Sequence, residues 1–386
     1  MNYELILTFA RMTTLNLSWW IWIFIALCTV TAIQIFYYLF FFARLAFYKK
    51  KQTNGQLQQP VSVIVCARDE AANLVKNIPG VLVQQYNADH EVIIVNDNSA
   101  DESKYLLEAF QKDYPQLQVV ELKQEAKLIP GKKFPLSMGI KTARHDIVLL
   151  TDADCIPASE HWIQQMQDAF DGNIEIVLGY GPYHKAKGML NRLIRFETFH
   201  TAIQYLSYAL AGLPYMGVGR NLAYRRDVFF RNKGFSAFNH IPSGDDDLFI
   251  NRAATASNTA IVINEEAHTL SDPKKSWAEW TKQKTRHYTT GKYYKGIHKF
   301  LLGLYSFTHF LFYPLLIAGF FLVDWRLVLI VLVVKLAIQA LIYRKAMEQL
   351  GEQDLWVWFP LMDLWMFIYY LIFAPALLKN PKVVWK

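Results

Sequence analysis

Cysteine is scarce in this chain, and the few cysteines present exclude two common kinds of site. Only three occur among 386 residues, at Cys28, Cys66 and Cys155, and no two of them form a Cys-x-x-Cys pair. Neither a structural zinc site nor a disulfide framework is therefore expected, and this usage suits a reducing compartment. The ten histidines also lack the His-Glu-x-x-His spacing of zinc proteases.

A complete glycine-rich phosphate loop is missing as well. The segments GYGPYH (179–184) and GVGRNL (217–222) each lack the third glycine of a dinucleotide fingerprint. The segment PGKK (130–133) lacks the upstream glycine of a Walker loop. These two classes of nucleotide site are therefore not predicted.

Hydrophobic residues, by contrast, are abundant, since 53% of the chain is hydrophobic and 15% is aromatic. They gather in long runs at residues 17–42, 301–323, 325–343 and 355–378. A helix needs ~20 apolar residues to cross a bilayer, so these runs predict one N-terminal and about three C-terminal transmembrane helices. The first run exceeds the ~7–15 residues of a signal-peptide core, and we interpret it as an uncleaved anchor.

The distribution of charge predicts how the chain lies in the membrane. The net charge is +7 at pH 7, and Arg44 and the lysines at 49–51 follow the first run directly. The positive-inside rule then predicts an integral, multi-pass protein, as in a bacterial inner (plasma) membrane, with its middle region in the cytoplasm. The lysines in residues 379–386 oppose a spanning fourth run, so a re-entrant segment is the alternative.

Two ionisable residues, Lys335 and Asp363, lie inside the third and fourth apolar runs. A charge in the middle of a membrane helix costs at least ~2.5–3.5 kcal/mol. If the middle region is cytoplasmic, each lies eight residues from the inner end of its run, at Tyr343 and Leu355. Both then lie at the same depth, and we expect them to pair across a helix interface.

Short apolar segments alternate with helix-compatible stretches in the middle of the chain. Four such segments are VSVIVCA (61–67), EVIIVND (91–97), LQVVEL (117–122) and DIVLLTD (146–152). Continuous hydrophobicity is typical of parallel strands that are covered on both faces, so we predict an α/β domain with a mostly parallel sheet. The predicted organisation is an N-terminal transmembrane anchor (1–48), a linker (49–60), the α/β domain (61–275), an interfacial amphipathic segment (276–298) and C-terminal transmembrane helices (299–386).

Polar residues gather where three of these strands end, in ARDEAAN (67–73), NDNSADES (96–103) and TDADC (151–155). Any one cluster would equally suit turns and helix caps, but ligands of open α/β sheets bind at the carboxyl ends of strands. Asp152 and Asp154 repel each other, and a hard cation that takes carboxylate oxygens removes that cost. The pattern therefore indicates a site for a divalent cation, with one carboxylate on the metal and the other available to a ribose hydroxyl.

Seven motifs follow one another in the middle of the chain: VSVIVCARDEAANL, EVIIVNDNSAD, GKKFPLSMGI, TDADC, GRNLAYRR, SGDDDLFINR and QKTRHY. In this order they resemble the membrane-anchored, inverting members of glycosyltransferase family 2, which have a GT-A fold. The likeness covers Pro60 to about Tyr294. It implies a GT-A nucleotide-sugar-binding domain and, as cofactor, Mg²⁺ or Mn²⁺.

The resemblance also implies which residues contact the donor. They are Ala67, Arg68, Glu70 and Asp97 at the nucleotide, Lys132 at the diphosphate, Asp152 and Asp154 at the metal, and Arg220 and Asn221 of GRNLAYRR. Asp154 is the preferred metal ligand of the pair.

The acidic motif SGDDDLFI is implied to carry the catalytic base, but its register is ambiguous. Alignment on Leu248 makes Asp245 the base, whereas alignment on Gly244 makes it Asp246, and we favour Asp245. The alternative is that these carboxylates lie at a helix N-terminus, where the helix dipole favours negative charge.

The family's Gln-x-x-Arg-Trp motif is represented by Gln283, Arg286 and His287, which are implied to bind substrate. The tryptophan, which in processive synthases stacks on the acceptor sugar, is replaced by a smaller ring, and this favours a non-processive enzyme.

The function implied is transfer of a sugar from a nucleotide diphosphate sugar, UDP-linked by preference, to a lipid or lipid-linked acceptor at the cytoplasmic face. Membrane lipid is an expected partner and nucleic acid is not. Two alternatives stay open: a processive polysaccharide synthase that extrudes its glycan through the spans, and an inactive membrane scaffold.

Overall fold

The computed structural model describes residues 19–49, 58–123 and 131–378, so the lysines at 50–51 and 379–386 and most of the predicted linker lie outside it. The described strands are β1 (Val61–Ala67), β2 (His90–Asp97), β3 (Leu117–Leu122), β4 (Ile147–Asp152), β5 (Cys155–Pro157), β6 (Ile176–Gly179), β7 (Leu222–Arg225), β8 (Thr259–Val262) and β9 (Thr269–Ser271). Seven of them form one sheet in the order β3-β2-β1-β4-β7-β6-β8, and β5 pairs with β9 separately.

The large sheet is mostly parallel, as predicted. β1 lies parallel to both β2 and β4, β2 lies parallel to β3, and β6 lies parallel to β8. Only β7 runs antiparallel to its neighbours β4 and β6 in this sheet. Every residue of β1 is buried, which explains its unbroken apolar sequence. The four strands read from the sequence are confirmed within one residue, whereas β5 to β9 are too short to give a pattern.

The helices surround this sheet and continue beyond it. They are α1 (Trp19–Phe36), a π-helical segment (Tyr37–Phe42), α2 (Ala43–Ala46), α3 (Ala71–Leu82), α4 (Ser103–Asp113), α5 (Lys133–Thr142), α6 (Trp162–Gln167), α7 (Met189–Leu210), α8 (Arg226–Arg231), α9 (Asp247–Ala253), α10 (Trp277–Tyr288), α11 (Gly296–Leu322), α12 (Trp325–Leu350) and α13 (Phe359–Phe373). Short 3₁₀ segments flank α13 at Gln353–Trp358 and Ala374–Leu378.

Four helical segments of the described chain are long and apolar enough to cross a membrane: Trp19–Ala46, Gly296–Leu322, Trp325–Leu350 and Gln353–Leu377. One is N-terminal and three are C-terminal, as the apolar runs predict. The third segment extends beyond the predicted end at Tyr343 because its last two turns bury Ala346, Met347 and Leu350. The fourth has only 15 α-helical residues, ~22 Å at 1.5 Å per residue, with 3₁₀ turns at both ends.

Helix α7 joins the sheet to these apolar helices, and its buried charges each meet a different segment. Arg195 donates to Glu352 Oε2 at 2.9 Å (from Nε) and to Asp354 Oδ2 at 2.8 Å, both in the connection between α12 and α13. Glu197 pairs with Lys284 of α10. Buried charges of this kind are tolerated only when they are paired, and removing one partner typically costs ~3–5 kcal/mol. Helix α7 therefore helps to fasten the sheet to the apolar helices.

The predicted pair inside the apolar helices is confirmed. Lys335 Nζ lies 2.7 Å from Asp363 Oδ2, and both side chains are at most 2% exposed. Two further side chains complete the shell, since Gln339 Nε2 donates to Asp363 Oδ1 at 2.6 Å and the Tyr313 hydroxyl donates to Oδ2 at 2.7 Å. The depth match that predicted the pair follows from the antiparallel arrangement of the third and fourth segments.

This pair can be tested by exchanging its charges. Lys335→Asp and Asp363→Lys should each lower the yield of folded protein in membranes, because each places two like charges together in an apolar interior. The double exchange should recover part of the yield, though not all, because Gln339 and Tyr313 are placed to donate to a carboxylate. Membrane yield measured by fluorescence of a fused reporter checks this, with Lys187→Asp, at an exposed position before α7, as the control. A double variant no better than the worse single variant would refute a pairwise interaction.

Candidate active site

The carboxyl ends of β1, β2 and β4 meet at one edge of the sheet. The strand register places Ala67 beside Asn96 and Cys66 beside Asp152. The prediction that the polar clusters share an edge is therefore confirmed. Ala67 is fully buried at the end of β1, and its contact with the nucleotide stays a prediction.

Arg68 and Asp97 are brought together at this edge, although they are 29 residues apart in the sequence. Their side chains approach to 4.0 Å, and the carboxylate of Asp97 is completely buried. Glu70 lies at the N-terminus of α3, where Asn73 donates to its carboxylate. Arg68, Glu70 and Asp97, which the resemblance assigns to the nucleotide, thus lie together where β1 and β2 end.

Those two loops are locked to each other by hydrogen bonds. Asp69 and Asn98 both adopt left-handed backbone conformations, with φ of 53° and 54°. The backbone N–H of Asp69 donates to Ser99 Oγ at 3.0 Å, and the N–H of Ala100 donates to Asp69 Oδ1 at 2.7 Å. Non-glycine residues in this region cost about 1–3 kcal/mol and persist where the surroundings over-determine them, often at functional sites. The loops are therefore a preformed frame rather than a flexible connection.

Lys132 and Asp152 form an ion pair at the end of β4. Lys132 is the residue before α5, and its ammonium donates to Asp152 Oδ1. Burial disfavours the charge on both groups, but the attraction between them prevails: the pKa of Lys132 is raised and that of Asp152 is lowered. The pair places one fixed positive charge at the predicted diphosphate position.

Asp154 carries the less compensated charge of the Asp-x-Asp pair. Solvent reaches its side chain, yet the walls of the cleft remove much of its hydration, and this, followed by repulsion from Asp152, raises its pKa. Ligand atoms of Asp152, Asp154 and Cys155 all lie within 4.8 Å of one another. Two carboxylates fit the oxygen preference of Mg²⁺ or Mn²⁺. The Cys155 thiol does not, since burial raises its pKa and keeps it protonated. The residues present therefore fit a divalent cation held by Asp152 and Asp154.

The acidic motif lies at the start of α9, and two of its three carboxylates have structural partners. Asp246 caps the helix: its Oδ1 accepts from the N–H of Asp247 at 2.7 Å and its Oδ2 from the N–H of Gly219 at 2.8 Å. Asp247 accepts from the hydroxyl of Tyr294 at 2.8 Å and from that of Thr290. The helix-start interpretation is thus confirmed for these two residues.

Asp245 differs from its two neighbours in having a carboxylate that accepts no hydrogen bond from the described ranges. Burial and the neighbouring carboxylates Asp245 and Asp247 raise the pKa of Asp246 to about 8. A carboxyl group that holds its proton near pH 7 is a poor base at that pH. Both observations favour Asp245 over Asp246 as the base, and its role stays a prediction.

Arg220 and Arg286 bring further positive charge to the metal-binding edge. Burial raises the pKa of Asp152, but its attraction to Lys132, and then to these two guanidinium groups, lowers it below the usual value. Arg220 lies 4.6 Å from the centre of the Tyr183 ring and donates to Ser271 Oγ at 3.2 Å. Arg286 lies on α10, and its neighbour His287 is exposed. Gln283 on the same helix is half-buried.

Asn221 is placed differently from the substrate contact that the resemblance implies. It is fully buried, its Nδ2 donates to the carbonyls of Tyr180 and Ala267 at 2.7 and 2.8 Å, and its Oδ1 accepts from Trp162 Nε1 at 3.1 Å. These bonds use the amide to join three segments behind the cleft. The side chain of Asn221 is thus engaged within the protein, and its contact with substrate stays a prediction.

Sequence analysis missed two features that position this site. Lys133 is completely buried beneath the acidic motif, and only its neighbour Lys132 matched a motif. Lys284 anchors α10 to Glu197 of α7. Lys284 lies beside Gln283 in the QKTRHY motif, so the motif itself pointed to this position. Its partner, Glu197, could be identified only from the three-dimensional structure.

Comparison with known proteins agrees with this geometry. Residues 62–231 match the family described as Glycosyl transferase family 2. The chain is 32% identical over 120 residues to a "Beta-monoglucosyldiacylglycerol synthase" of Trichormus variabilis, a match that covers 31% of this chain and 25% of that protein. It is 24% identical over 288 residues to "Probable glycosyltransferase YdaM" of Bacillus subtilis, covering 66% of this chain and 63% of that one. The chain therefore spans a quarter to less than two thirds of these curated relatives.

Among solved structures, the chain is similar to that described as "Mannosyltransferase PcManGT from Pyrobaculum calidifontis in complex with GDP-Man and Mn2+". The TM-score is 0.56 at 17% sequence identity, and the alignment covers 89% of this chain and 99% of the other. This likeness establishes a GT-A-like fold.

Substitution of Asp154 at the cation site should affect the stability of the protein and its binding of metal ions in different ways. Because the pKa of Asp154 is raised in the folded protein, ionising it costs stability as the pH rises above the value for the unfolded chain. Asp154→Asn should therefore leave the unfolding temperature without metal unchanged or higher at pH 7. The same variant should lose the upward shift that Mn²⁺ gives the native chain, a shift that should itself grow with pH as the ligand loses its proton.

Differential scanning fluorimetry of the detergent-solubilised chain, with and without Mn²⁺, makes this measurement. Asp171→Asn, at an exposed turn, is the matched control and should behave as the native chain in both conditions. An undiminished Mn²⁺ shift in Asp154→Asn would remove Asp154 from the site.

Proposed function

Residues 62–231 form a glycosyl transferase family 2 domain, and from this premise we propose that the chain transfers a sugar from a nucleotide diphosphate sugar to a lipid or lipid-linked acceptor. The donor is UDP-linked, the cofactor is Mg²⁺ or Mn²⁺, the anomeric configuration is inverted, and transfer is non-processive. The observation that carries the proposal is the placement of Asp152, Asp154 and Lys132 at one strand edge, with Asp245 near the same lysine.

The charges at this edge suit the departure of a nucleoside diphosphate. In the proposed reaction the acceptor oxygen bonds to the anomeric carbon, the bond from that carbon to the diphosphate breaks, and Asp245 takes the proton of the acceptor hydroxyl. Lys132, Arg220 and Arg286 offset the charge that develops on the leaving phosphate, and such electrostatic stabilisation is usually the largest catalytic effect. A divalent cation held by Asp152 and Asp154 would add Lewis-acid stabilisation of the same phosphate oxygens.

The connection between the acidic motif and the apolar helices supports an acceptor that resides in the membrane. Thr290 and Tyr294, which bind the Asp247 carboxylate, belong to the short segment that leads into α11. Asn251 of α9 also contacts His298 in the first turn of α11, at 2.9 Å. The acidic motif is therefore held by a segment that ends directly before a candidate membrane span. One relative is named as a synthase of a glucosylated diacylglycerol, which is consistent with such an acceptor.

The proposed topology places the catalytic edge on the cytoplasmic side of a multi-pass protein of a bacterial inner membrane. Arg44 lies in the last turn of the first candidate span and Lys49 follows that span, in agreement with the positive-inside rule. Whether the fourth segment spans the bilayer or re-enters it stays a prediction.

A panel of radiolabelled nucleotide sugars tests the function. Membranes that contain the chain are incubated with each donor, with and without Mn²⁺, and the products are separated by organic extraction and by size. Metal-dependent label in the organic phase is the expected result for one UDP-sugar, and label from a GDP-sugar would correct the nucleotide. Label in high-mass polymer would support the processive alternative, and no label with any donor would support an inactive scaffold.

The two candidate bases are separated by single substitutions. Asp245→Asn should bind UDP as the native chain does but transfer ~10²–10⁴-fold more slowly, the usual scale for losing general base catalysis. Asp246→Asn should retain transfer within about tenfold and should change stability little, since asparagine caps a helix about as well as aspartate. Initial rates at saturating donor, beside equilibrium UDP binding, check both expectations. An inactive Asp246→Asn with an active Asp245→Asn would shift the register of the motif by one residue.

A further inference from the structure

Lys133 is a buried cation for which the chemistry proposed so far has no use. Its side chain is completely inaccessible to solvent, whereas its neighbour Lys132 faces the cleft and pairs with Asp152. The Lys133 ammonium donates to the backbone carbonyl of Ile241 and lies 5.6 Å from the centre of the Phe238 ring. A lysine is rarely buried without a paired carboxylate, so its location calls for a physical reason.

The reason lies in what surrounds the ammonium. Ile241 and Phe238 belong to the segment that leads into the acidic motif, and the carboxylates that act on the Lys133 ammonium are Asp245, Asp247 and Asp246, in decreasing order of effect. No described Lys or Arg forms an ion pair with any of these three carboxylates at 4 Å or less. Burial lowers the pKa of Lys133 to about 8, so at neutral pH its ammonium is a positive charge that acts on three consecutive carboxyl groups.

The contact between the two segments is close enough to fix their relative position. Gly131 has a positive φ of 77°, and a Cβ there would lie 2.1 Å from the carbonyl oxygen of Pro242. Only glycine fits at that place, so the turn before α5 rests directly on the segment before the acidic motif. The same turn presents Lys132 to Asp152 and Lys133 to Ile241, which links the metal-binding edge to the acidic motif.

We propose that Lys133 is a positioning residue for the base: it anchors the segment that carries Asp245 and offsets the repulsion among Asp245, Asp246 and Asp247. This inference rests on the proposed function for its catalytic consequence, while the charge interaction itself can be measured without turnover. A base must be a carboxylate to accept the hydroxyl proton, so the balance of charge around the acidic motif bears directly on the proposed reaction.

Other titratable groups also act on Asp245, and the experiment must hold them constant. Those that face it from β1, β7, the start of α5 and its own segment are Cys66, Tyr224, Lys132, Lys133, Asp246 and Asp247. Lys132 provides the other positive charge in this set, but it is engaged by Asp152.

A double-mutant cycle tests the charge interaction. Urea unfolding of the detergent-solubilised full chain is measured for the native chain, Lys133→Gln, Asp245→Asn and the double variant. Glutamine keeps a donor for the Ile241 carbonyl but lacks the charge, so a favourable Lys133–Asp245 interaction should make the two substitutions non-additive. Additive effects within the error of the cycle would overturn the electrostatic part of the inference.

The pH dependence of transfer tests the effect on the base. In a plot of kcat against pH, Lys133→Gln and Lys133→Met should both move the acid limb to higher pH by about one unit. Carboxyl pKa values in folded proteins usually vary by about this amount with their surroundings. Lys133→Arg should keep the native limb, and Lys141→Met, on the exposed end of α5, is the matched control. If the acid limb of kcat stays in place in both neutral variants, and kcat falls only to the extent that stability falls, Lys133 has a structural role alone.

The outcomes remain distinguishable if the function or the folding fails. If the native chain transfers no sugar from any donor, the proposed function fails, and the cycle still decides the interaction. If both neutral variants fail to fold, the pH profile of Lys133→Arg provides the test. This variant retains the positive charge, so an acid limb of kcat displaced by a full pH unit would overturn the inference.

Discussion

Repulsion among carboxylates is the physical constraint on which this structure depends. Asp97, Asp152, Asp154 and the three carboxyl groups of residues 245–247 gather at the sheet edge and the motif beside it, with little water to screen them. Each is stabilised differently: Asp152 by Lys132, Asp246 by two backbone N–H groups and Asp247 by two hydroxyls. The two that receive least from the described protein, Asp154 and Asp245, are those with the clearest chemical roles. A cation would compensate one, and a proton from the acceptor would neutralise the other.

Helix α7 ties the chemistry to the apolar helices. Its buried Arg195 and Glu197 meet partners in the connection after α12 and in α10, and α10 carries Arg286 towards the metal-binding edge. One hydrophobic core runs from the π-helical segment through α7 to α13, so the N-terminal helix is a packed part of the molecule as well as an anchor. The apolar helices therefore help to hold the cleft in shape, which suits an enzyme whose acceptor lies in the membrane.

Much of this architecture could be predicted from the sequence because its signals are local. Long apolar runs gave four candidate spans, continuous strands gave the parallel half of the sheet, and a depth argument gave the Lys335–Asp363 pair. The short strands β5 to β9 gave no pattern, since three or four residues cannot establish a period. The separate tasks of Asp245, Asp246 and Asp247 could not be assigned either, because they depend on Gly219, Thr290 and Tyr294, which lie far away in the sequence. The hydrogen bonds of the Asn221 amide could not be predicted for the same reason, because only folding brings its three partners together.

The central claim is that the carboxylates at this edge carry out a single-displacement sugar transfer. The anomeric configuration of the product tests this claim most directly. The lipid-soluble product from the active nucleotide sugar would be isolated after brief reaction, and the coupling constant of its anomeric proton measured by NMR. An α-linked donor should give a β-linked product, because one base and one attack at the anomeric carbon invert its configuration. A product that retains the configuration of the donor would contradict the account, since retention requires a different reaction course at this site.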